Sequence, residues 1–427
     1  MNGYARMLRN LKTPKVMQRL TKLYGNRDGM LVSQTARYTR LIKRHEELFE
    51  GNENDVLMIS APGRTEIGGN HTDHNNGKVL AAAVNLDTLA AVSKRGDMII
   101  NLHSEGYEPI RLDLNDLTMK PEEAGTTAAV IRGVAARMQQ LNYFVGGFDA
   151  AVTSEVASGS GLSSSAAFEV MVCAIFDILF NENKIDFKLR AQIAQYAENV
   201  YFGKPSGLLD QMASAAGGLV FVDFKGEEPK VKPLNFDFAA KGYSLVVVNT
   251  GGSHANLTEN YAAIPKEMKE VAAYFGEKEL RSVRPEQVLN DVAALRGQVS
   301  ERAIMRALHF FNENERVCKE VEALEADDID TFFENIIASG QSSFMFLQNV
   351  FVDFDEQPLS LALCLTHQWL EGKGAWRVHG GGFAGTTLNF VPTKDVACFA
   401  KKMEKIYGRY ACNILDIRPE GAAMIEL

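Results

Sequence analysis

Residues 158–169 read SGSGLSSSAAFE, a glycine and serine run that leads directly into an apolar periodic segment. Gly159 and Gly161 allow turn conformations that residues with a Cβ resist, while Ser163, Ser164 and Ser165 set hydroxyls beside the unpaired N–H groups of a first helical turn. The helix is legible because Ala167, Val170, Met171, Ala174, Ile175, Ile178 and Leu179 recur at three- and four-residue spacings. A glycine-rich loop opening onto a helix N-terminus is an anion site, and the anion it suits is a phosphate. A flexible Gly/Ser linker would be polar on both flanks, and this run is not.

Working outward, DVLMISAPGR (55–64) reads as a strand ending in a turn, and KVLAAAVNLDTLAAVSKR (78–95) and MIINLHS (98–104) continue the β pattern. A second helix is expected from Lys188 to about Tyr201, and GKPSGLLDQMASAAGGLVFVDF (203–224) passes through a loop and short helix into another strand. The charged, Pro- and Gly-rich stretch 226–242 reads as a weakly structured crossing between two domains. Beyond it come a buried strand (YSLVVVNTGG), long helical patterns over 258–350, and two strands in AWRVHGGGFAGTTLNFV that meet at a glycine corner. The mixture makes the second domain α+β.

The chain has 427 residues, 46% of them hydrophobic, which is enough for two or three domains with a substantial core. A net charge of −9 argues against nucleic-acid partners. Cys173, Cys318, Cys364, Cys398 and Cys412 form no CxxC pair and no zinc spacing, so a reducing cytoplasm is expected. The first 30 residues interleave Arg6, Arg9, Lys12, Lys15, Arg19 and Lys22 with apolar residues, an amphipathic helical extension that packs on the body of the protein rather than a targeting signal. No stretch approaches an uncharged membrane span; even VMVCAIFDILF carries Asp177.

Other phosphate signatures fail. No GxxxxGK[ST] is present, and Gly380, Gly382 and Gly385 match GxGxxG only between two strand-like segments, where a dinucleotide fold needs a strand and a helix. A second cluster, GRTEIGGNHTDHNNG (63–77), gathers Arg64, Asn70, His71, Asp73 and His74 into one glycine-bounded turn, a density of short polar groups that suits a sugar. A metal site on His71, Asp73 and His74 and a merely solvated turn are the competing readings, and neither explains Arg64. A third cluster, GKPSGLLDQ, ends in Asp210 and Gln211; alone, such an aspartate is more often a helix cap or ion-pair partner than a buried base.

Taken in order, these clusters resemble the GHMP small-molecule kinases and, within them, the galactokinases. APGRTEIGGNHTDHNNGKVL is similar to the galactokinase signature turn, SGSGLSSSAA to its phosphate loop, VHGGGFAG to its C-terminal glycine motif and, more loosely, ENVYFGKPSGLLDQ to the segment with the catalytic aspartate. The resemblance runs from about Met30 to the C-terminus. It implies an α+β, two-domain GHMP kinase fold, with a ribosomal-protein-S5-like N-terminal domain (31–225, after the 1–30 extension), a ferredoxin-like α+β C-terminal domain (240–427), and ATP and sugar bound between them.

The resemblance also implies roles. Arg64 matches the arginine at the transferring phosphoryl group and Asp210 the carboxylate facing the anomeric hydroxyl. Gly159, Ser160, Gly161, Leu162, Ser163, Ser164 and Ser165 match the ATP phosphate loop, with Ser165 and Glu198 as Mg2+ ligands. Asn70, His71, Asp73, Gly207 and, on a looser alignment, Tyr261 match sugar contacts. The expected protein is a cytoplasmic, monomeric ATP-dependent sugar 1-kinase with ATP and Mg2+, no nucleic-acid partner and no membrane association.

The chain departs from the galactokinase pattern GRxNLIGEHTDY at four places. Glu66 stands for Asn, Gly68 for an apolar residue, Asn70 for the Glu expected at the sugar's O6, and His74 for Tyr. An Asn at O6 offers donors as well as an acceptor and would admit an anionic C6. Galactose is the leading acceptor, galacturonate a rival, and an N-acetylated or otherwise C6-altered hexose a further alternative. A non-catalytic sugar and ATP sensor is disfavoured because the loop is full length and both Arg64 and Asp210 are present.

Overall fold

The computed structural model describes residues 3–49, 56–157, 159, 161–252, 257–383 and 385–427. It is an α+β protein built on two sheets. The large sheet runs β12 (Ala423–Ile425), β1 (Val56–Gly68), β2 (Lys78–Lys94), β5 (Phe148–Ser154), β3 (Ile99–Ser104), β4 (Ile110–Asp113). β2 is long enough to serve two partners: Lys78–Ala82 pair with β6 (Leu219–Asp223), Thr88–Lys94 with β5. The small sheet runs β11 (Cys412–Leu415), β8 (Tyr243–Asn249), β10 (Thr386–Pro392), β9 (Ala375–His379), all antiparallel.

The near-continuous apolar runs of β1 and β2 have a physical reason: both faces of the large sheet are covered. Ile59, Ala61, Ala90, Val92, Ala150 and Val152 pack against α4 (Thr127–Gln140), α5 (Ser164–Phe180), α6 (Phe187–Tyr196) and α7 (Leu209–Ala216). Their neighbours one residue away, Met58, Leu89, Ala91 and Ala151, pack against α1 (Gly3–Asn10), α2 (Pro14–Tyr24) and α3 (Met30–Leu48). The basic segment of α1 and α2 therefore lies over a sheet face through Tyr4, Leu11, Leu20 and Leu23, with Arg6, Arg9, Lys12, Lys15 and Lys22 outward.

A buried polar anchor fixes that layer. Asp87, fully buried on β2, accepts from Arg37 Nη1 at 2.6 Å, Arg418 Nη1 at 2.9 Å and the Tyr24 hydroxyl at 2.6 Å, and from Ser60. The two arginines outweigh the cost of burial and hold the Asp87 carboxyl below its ordinary value. One carboxylate thus ties α2, α3 and the C-terminal segment to the sheet. That segment ends in β12, so the last strand of the chain belongs to the large sheet and not to the small one.

Three expectations need correction. The stretch 63–77 is not one turn: β1 continues to Gly68, because Pro62 and Gly63 produce only a register shift against β2 and pairing resumes at Arg64. Within 226–242, Lys230–Leu234 form β7, an edge strand on β6 that tolerates Pro233 because its outer side has no ladder to serve. The expected helix from Lys188 also divides, into α6 and a wider π turn over Ala197–Phe202.

Helix Ile329–Ser342 lies over the small sheet, with Phe332 and Phe333 against Phe390, and helix Glu301–Glu325 packs beside it against β1 and β2, with Val317, Leu324 and Ile336 in the same apolar cluster as Val247 and Leu388. The same cluster reaches Ile67, Leu80 and Val84 on β1 and β2, so both sheets share one core beside the site. No helix among the described residues is long and apolar enough to cross a membrane.

Candidate active site

The glycine and serine loop lies between β5 and α5. Gly159, Gly161 and Ser163 all adopt positive φ, at 75°, 75° and 60°. At Gly161 a Cβ would lie 2.2 Å from Thr386 Oγ1 and 2.9 Å from His379 Nδ1, so only glycine fits against the β9–β10 corner. The Leu162 side chain is buried and its carbonyl accepts the Arg64 N–H at 3.0 Å. Ser160 lies outside the described residues. Ser163 precedes α5 without capping it; its hydroxyl donates instead to Asp210 Oδ2 at 2.6 Å. The first turn of α5 therefore keeps N–H groups for an anion.

Arg64, carried by β1, and Asp210, in the first turn of α7, meet as a fork: Nε to Oδ1 at 2.6 Å and Nη2 to Oδ2 at 2.8 Å, while Nη1 donates to the Gly161 carbonyl. Burial pushes the Asp210 carboxyl up, but Arg64 beside it outweighs that and holds it below its ordinary value. Asp210 is ionised at neutral pH and its side chain is still 33% exposed, open to a substrate.

Glu198 hangs from the π turn. Ser165 Oγ donates to its Oε1 at 3.3 Å, Lys204 Nζ to the same oxygen at 2.9 Å, and Ser206 Oγ to Oε2 at 2.5 Å. Gln211 Nε2 bridges Glu198 Oε2 at 2.8 Å and Glu169 Oε2 at 2.9 Å. Glu169 is buried with Oε1 unpartnered, and burial followed by repulsion from Glu198 pushes its carboxyl well up.

Polar side chains also gather at the glycine corner of β9 and β10. His71, at φ 57°, donates from Nε2 to the Gly381 carbonyl at 3.0 Å, and burial lowers its pKa to about 3, so the ring is neutral. The Tyr261 hydroxyl donates to Gly382 O at 3.2 Å, and a Cβ on Gly381 would strike its ring at 2.4 Å. A Cβ on Gly207 would lie 1.7 Å from Asp73 Oδ2, which places the Asp210 loop directly against Asp73. His71, Asp73, Gly207 and Tyr261 thus converge beside Arg64 and Asp210.

Asn70 does not join them, which corrects its expected contact with a sugar O6. It is fully buried; Nδ2 donates to Glu66 Oε1 at 2.8 Å and to Gly380 O at 2.7 Å, and Oδ1 accepts from Asn349 Nδ2 at 2.9 Å. Both donors are consumed. The cause is Glu66 four residues earlier, whose Oε1 draws the amide inward and also accepts from Arg377 Nη2 at 2.8 Å. Glu66 Oε2 accepts nothing among the described residues, and the residue retains 6% exposure within electrostatic reach of Arg64 and Asp73. Burial raises its pKa to about 7. Gly68 has its own partner: Glu320 Oε2 lies 1.9 Å from where a Cβ would stand, so the missing side chain makes room for a buried carboxylate.

A cavity of about 660 Å³ is lined by Ser164, Ser165, Glu198 and Lys204 together with apolar walls from Leu102, Ile110, Val130, Phe168 and Phe202. The sequence reading missed these apolar walls. They come from five separate segments, each of which looks like ordinary core.

The galactokinase galactose-binding signature matches residues 43–94, and the GHMP kinase N-terminal domain matches residues 129–218. A galactokinase of Glaesserella parasuis is 32% identical over 371 residues, covering 84% of this chain and 93% of the relative. A galactokinase of Streptomyces coelicolor is 32% identical over 390 residues, covering 89% and 96%. This chain belongs to the galactokinase family. Its fold is that of the GHMP kinases: the Lactococcus lactis galactokinase complexed with galactose superposes with a TM-score of 0.78 at 24% identity over 91% of this chain and 99% of the other, and a mevalonate kinase with 0.60 at 13% over 84% and 99%.

Proposed function

We propose that this protein transfers the γ-phosphoryl group of ATP to the anomeric hydroxyl of D-galactose, giving α-D-galactose 1-phosphate and ADP. The observation that carries this reading is the Arg64–Asp210 fork, set between a phosphate loop on one side and the pocket of His71, Asp73, Gly207 and Tyr261 on the other. Residues 31–225 supply the loop, the fork and the nucleotide cavity; residues 240–427 close the sugar pocket through Tyr261 and the glycine corner.

Asp210 is held ionised by Arg64, so it orients the C1 hydroxyl and accepts its proton as the O–P bond forms. Arg64 and the N–H groups of the first α5 turn stabilise charge on the transferring phosphoryl oxygens. The apolar cavity walls take the adenine ring. Ser165 and Glu198 would hold Mg2+, which supplies positive charge to the phosphate oxygens. The fit is good: Glu169 and Glu198 are two neighbouring buried carboxylates with an orphaned oxygen, and Mg2+ is commonly held by one or two carboxylates plus substrate phosphates.

On the sugar side, Glu66 Oε2 and Asp73 are the acceptors offered to hydroxyl groups, and Asn70 positions Glu66. Asp73 opposes an anionic C6, and Asn70, on which the case for galacturonate depended, is turned inward. ADP release measured with galactose, galacturonate, N-acetylgalactosamine and glucose tests the assignment. Turnover is expected with galactose; absence of galactose turnover at millimolar concentration, with robust turnover of the uronic acid, would overturn it.

A further inference from the structure

The nucleotide cavity has an unusual charge balance for a polyphosphate site. Its described lining carries Glu108 and Glu198, with the buried Glu169 whose carboxyl is pushed well up, against a single cation, Lys204. Arg64 lies outside that lining, is 7% exposed, and spends three N–H groups on Asp210 and the Gly161 carbonyl. ATP brings several negative charges to this cavity, and besides the Mg2+ that Ser165 and Glu198 would hold, Lys204 is the one cationic side chain in the described lining that can answer them.

Lys204 has the placement and freedom for it. Its backbone is fixed: the N–H groups of Gly203 and Lys204 both donate to the Glu198 carbonyl, at 3.0 and 3.1 Å, Gly203 takes φ 88°, and Ser206 N–H donates to Asn199 Oδ1 at 2.7 Å. Its side chain is 59% exposed and held at the tip by the Glu198 carboxylate alone among the described residues. A flexible four-carbon stem on a rigid turn lets the ammonium move between neighbouring anions at little cost. The Glu198 oxygen it occupies is the one that receives the Ser165 hydroxyl, so the ammonium already stands at the mouth of the phosphate loop.

Resting on the kinase reading above, we propose that Lys204 is a further catalytic residue: its ammonium is parked on Glu198 when the site is empty and moves to the terminal phosphates of ATP when nucleotide binds. It contributes positive charge to those phosphates, and it frees Glu198 beside Ser165.

The test is calorimetric binding of ATP and of adenosine, without sugar, to the full-length protein and to Lys204→Gln and Lys204→Arg. The glutamine variant is expected to bind ATP about 10- to 100-fold more weakly and adenosine within about twofold of wild type, since losing one charged contact to phosphate leaves the adenine walls intact. The arginine variant should recover ATP binding to within about fivefold. Unchanged ATP affinity in Lys204→Gln, or a parallel loss for ATP and adenosine, would overturn the proposal. A wild-type protein that binds no ATP would overturn the kinase reading and this inference together.

Discussion

Replacing Asp210 with Asn alters one charge and one atom and leaves the volume of the side chain. In the native site Oδ1 accepts from Arg64 Nε at 2.6 Å, while Oδ2 accepts from Arg64 Nη2 at 2.8 Å and Ser163 Oγ at 2.6 Å. An amide has one oxygen. Placed at Oδ2 it keeps Ser163 and Nη2, but its NH2 then faces the Arg64 Nε–H, so one charge-assisted bond becomes a donor–donor contact costing about 1.5–3 kcal/mol. Loss of the proton acceptor adds to this; general-base groups contribute about 10²- to 10⁴-fold, equivalent to about 2.7–5.4 kcal/mol at 1.36 kcal/mol per decade. We therefore expect kcat to fall at least about 100-fold, while ATP affinity changes less than about threefold because the cavity walls are untouched. Coupled ADP release gives kcat and calorimetry gives ATP affinity. A kcat within about threefold of wild type would remove Asp210 from the mechanism and refute the argument from the fork.

Other consequences are equally open to measurement. Gly207→Ala would drive a methyl into Asp73, and should raise KM for galactose at least about tenfold while KM for ATP stays unchanged; an unchanged galactose KM would dissociate Asp73 from the sugar. Asp87→Asn removes the carboxylate between two buried arginines and should cost about 3–5 kcal/mol, read as a lowered urea midpoint at unchanged slope. Glu320 has both carboxylate oxygens buried without a partner, and burial, then Glu313, raise its pKa from 4.5 to about 8. The folded state then holds a proton that the unfolded chain releases, so this group's contribution to stability declines as pH rises from about 4.5 to 8. Glu320→Gln should flatten the pH dependence of unfolding over that interval, and an unaltered profile would contradict the burial argument.

Much of this was legible in the sequence. Local chemistry announces itself locally: the SGSGLSSSAA loop, the helix it opens and the glycine corner each carry their geometry in adjacent residues, because positive φ and close approach demand glycine at fixed positions. Arg64 and Asp210 stand 146 residues apart and were brought together only by the family resemblance. What the residues themselves could not reveal is direction. Asn70 and Glu66 are both polar side chains in a signature motif, and which of them turns inward depends on Arg377, Asn349 and the Gly380 carbonyl, all more than 270 residues away. The run through Pro62 and Gly63 looks like a turn until β2 is beside it to carry the pairing onward. The adenine side of the cavity is hidden for the complementary reason, since Leu102, Val130 and Phe168 are apolar residues whose pocket exists only after β3, α4 and α5 pack.

The central claim is that the fork delivers phosphate to one hydroxyl of one sugar, so the product decides it. Purified protein incubated with ATP and D-galactose, and followed by phosphorus NMR, should yield ADP and a sugar phosphate esterified at C1 in the α configuration, with no product from galacturonate. A phosphate on any other carbon, or ADP formed at the same rate with and without galactose, would contradict the account.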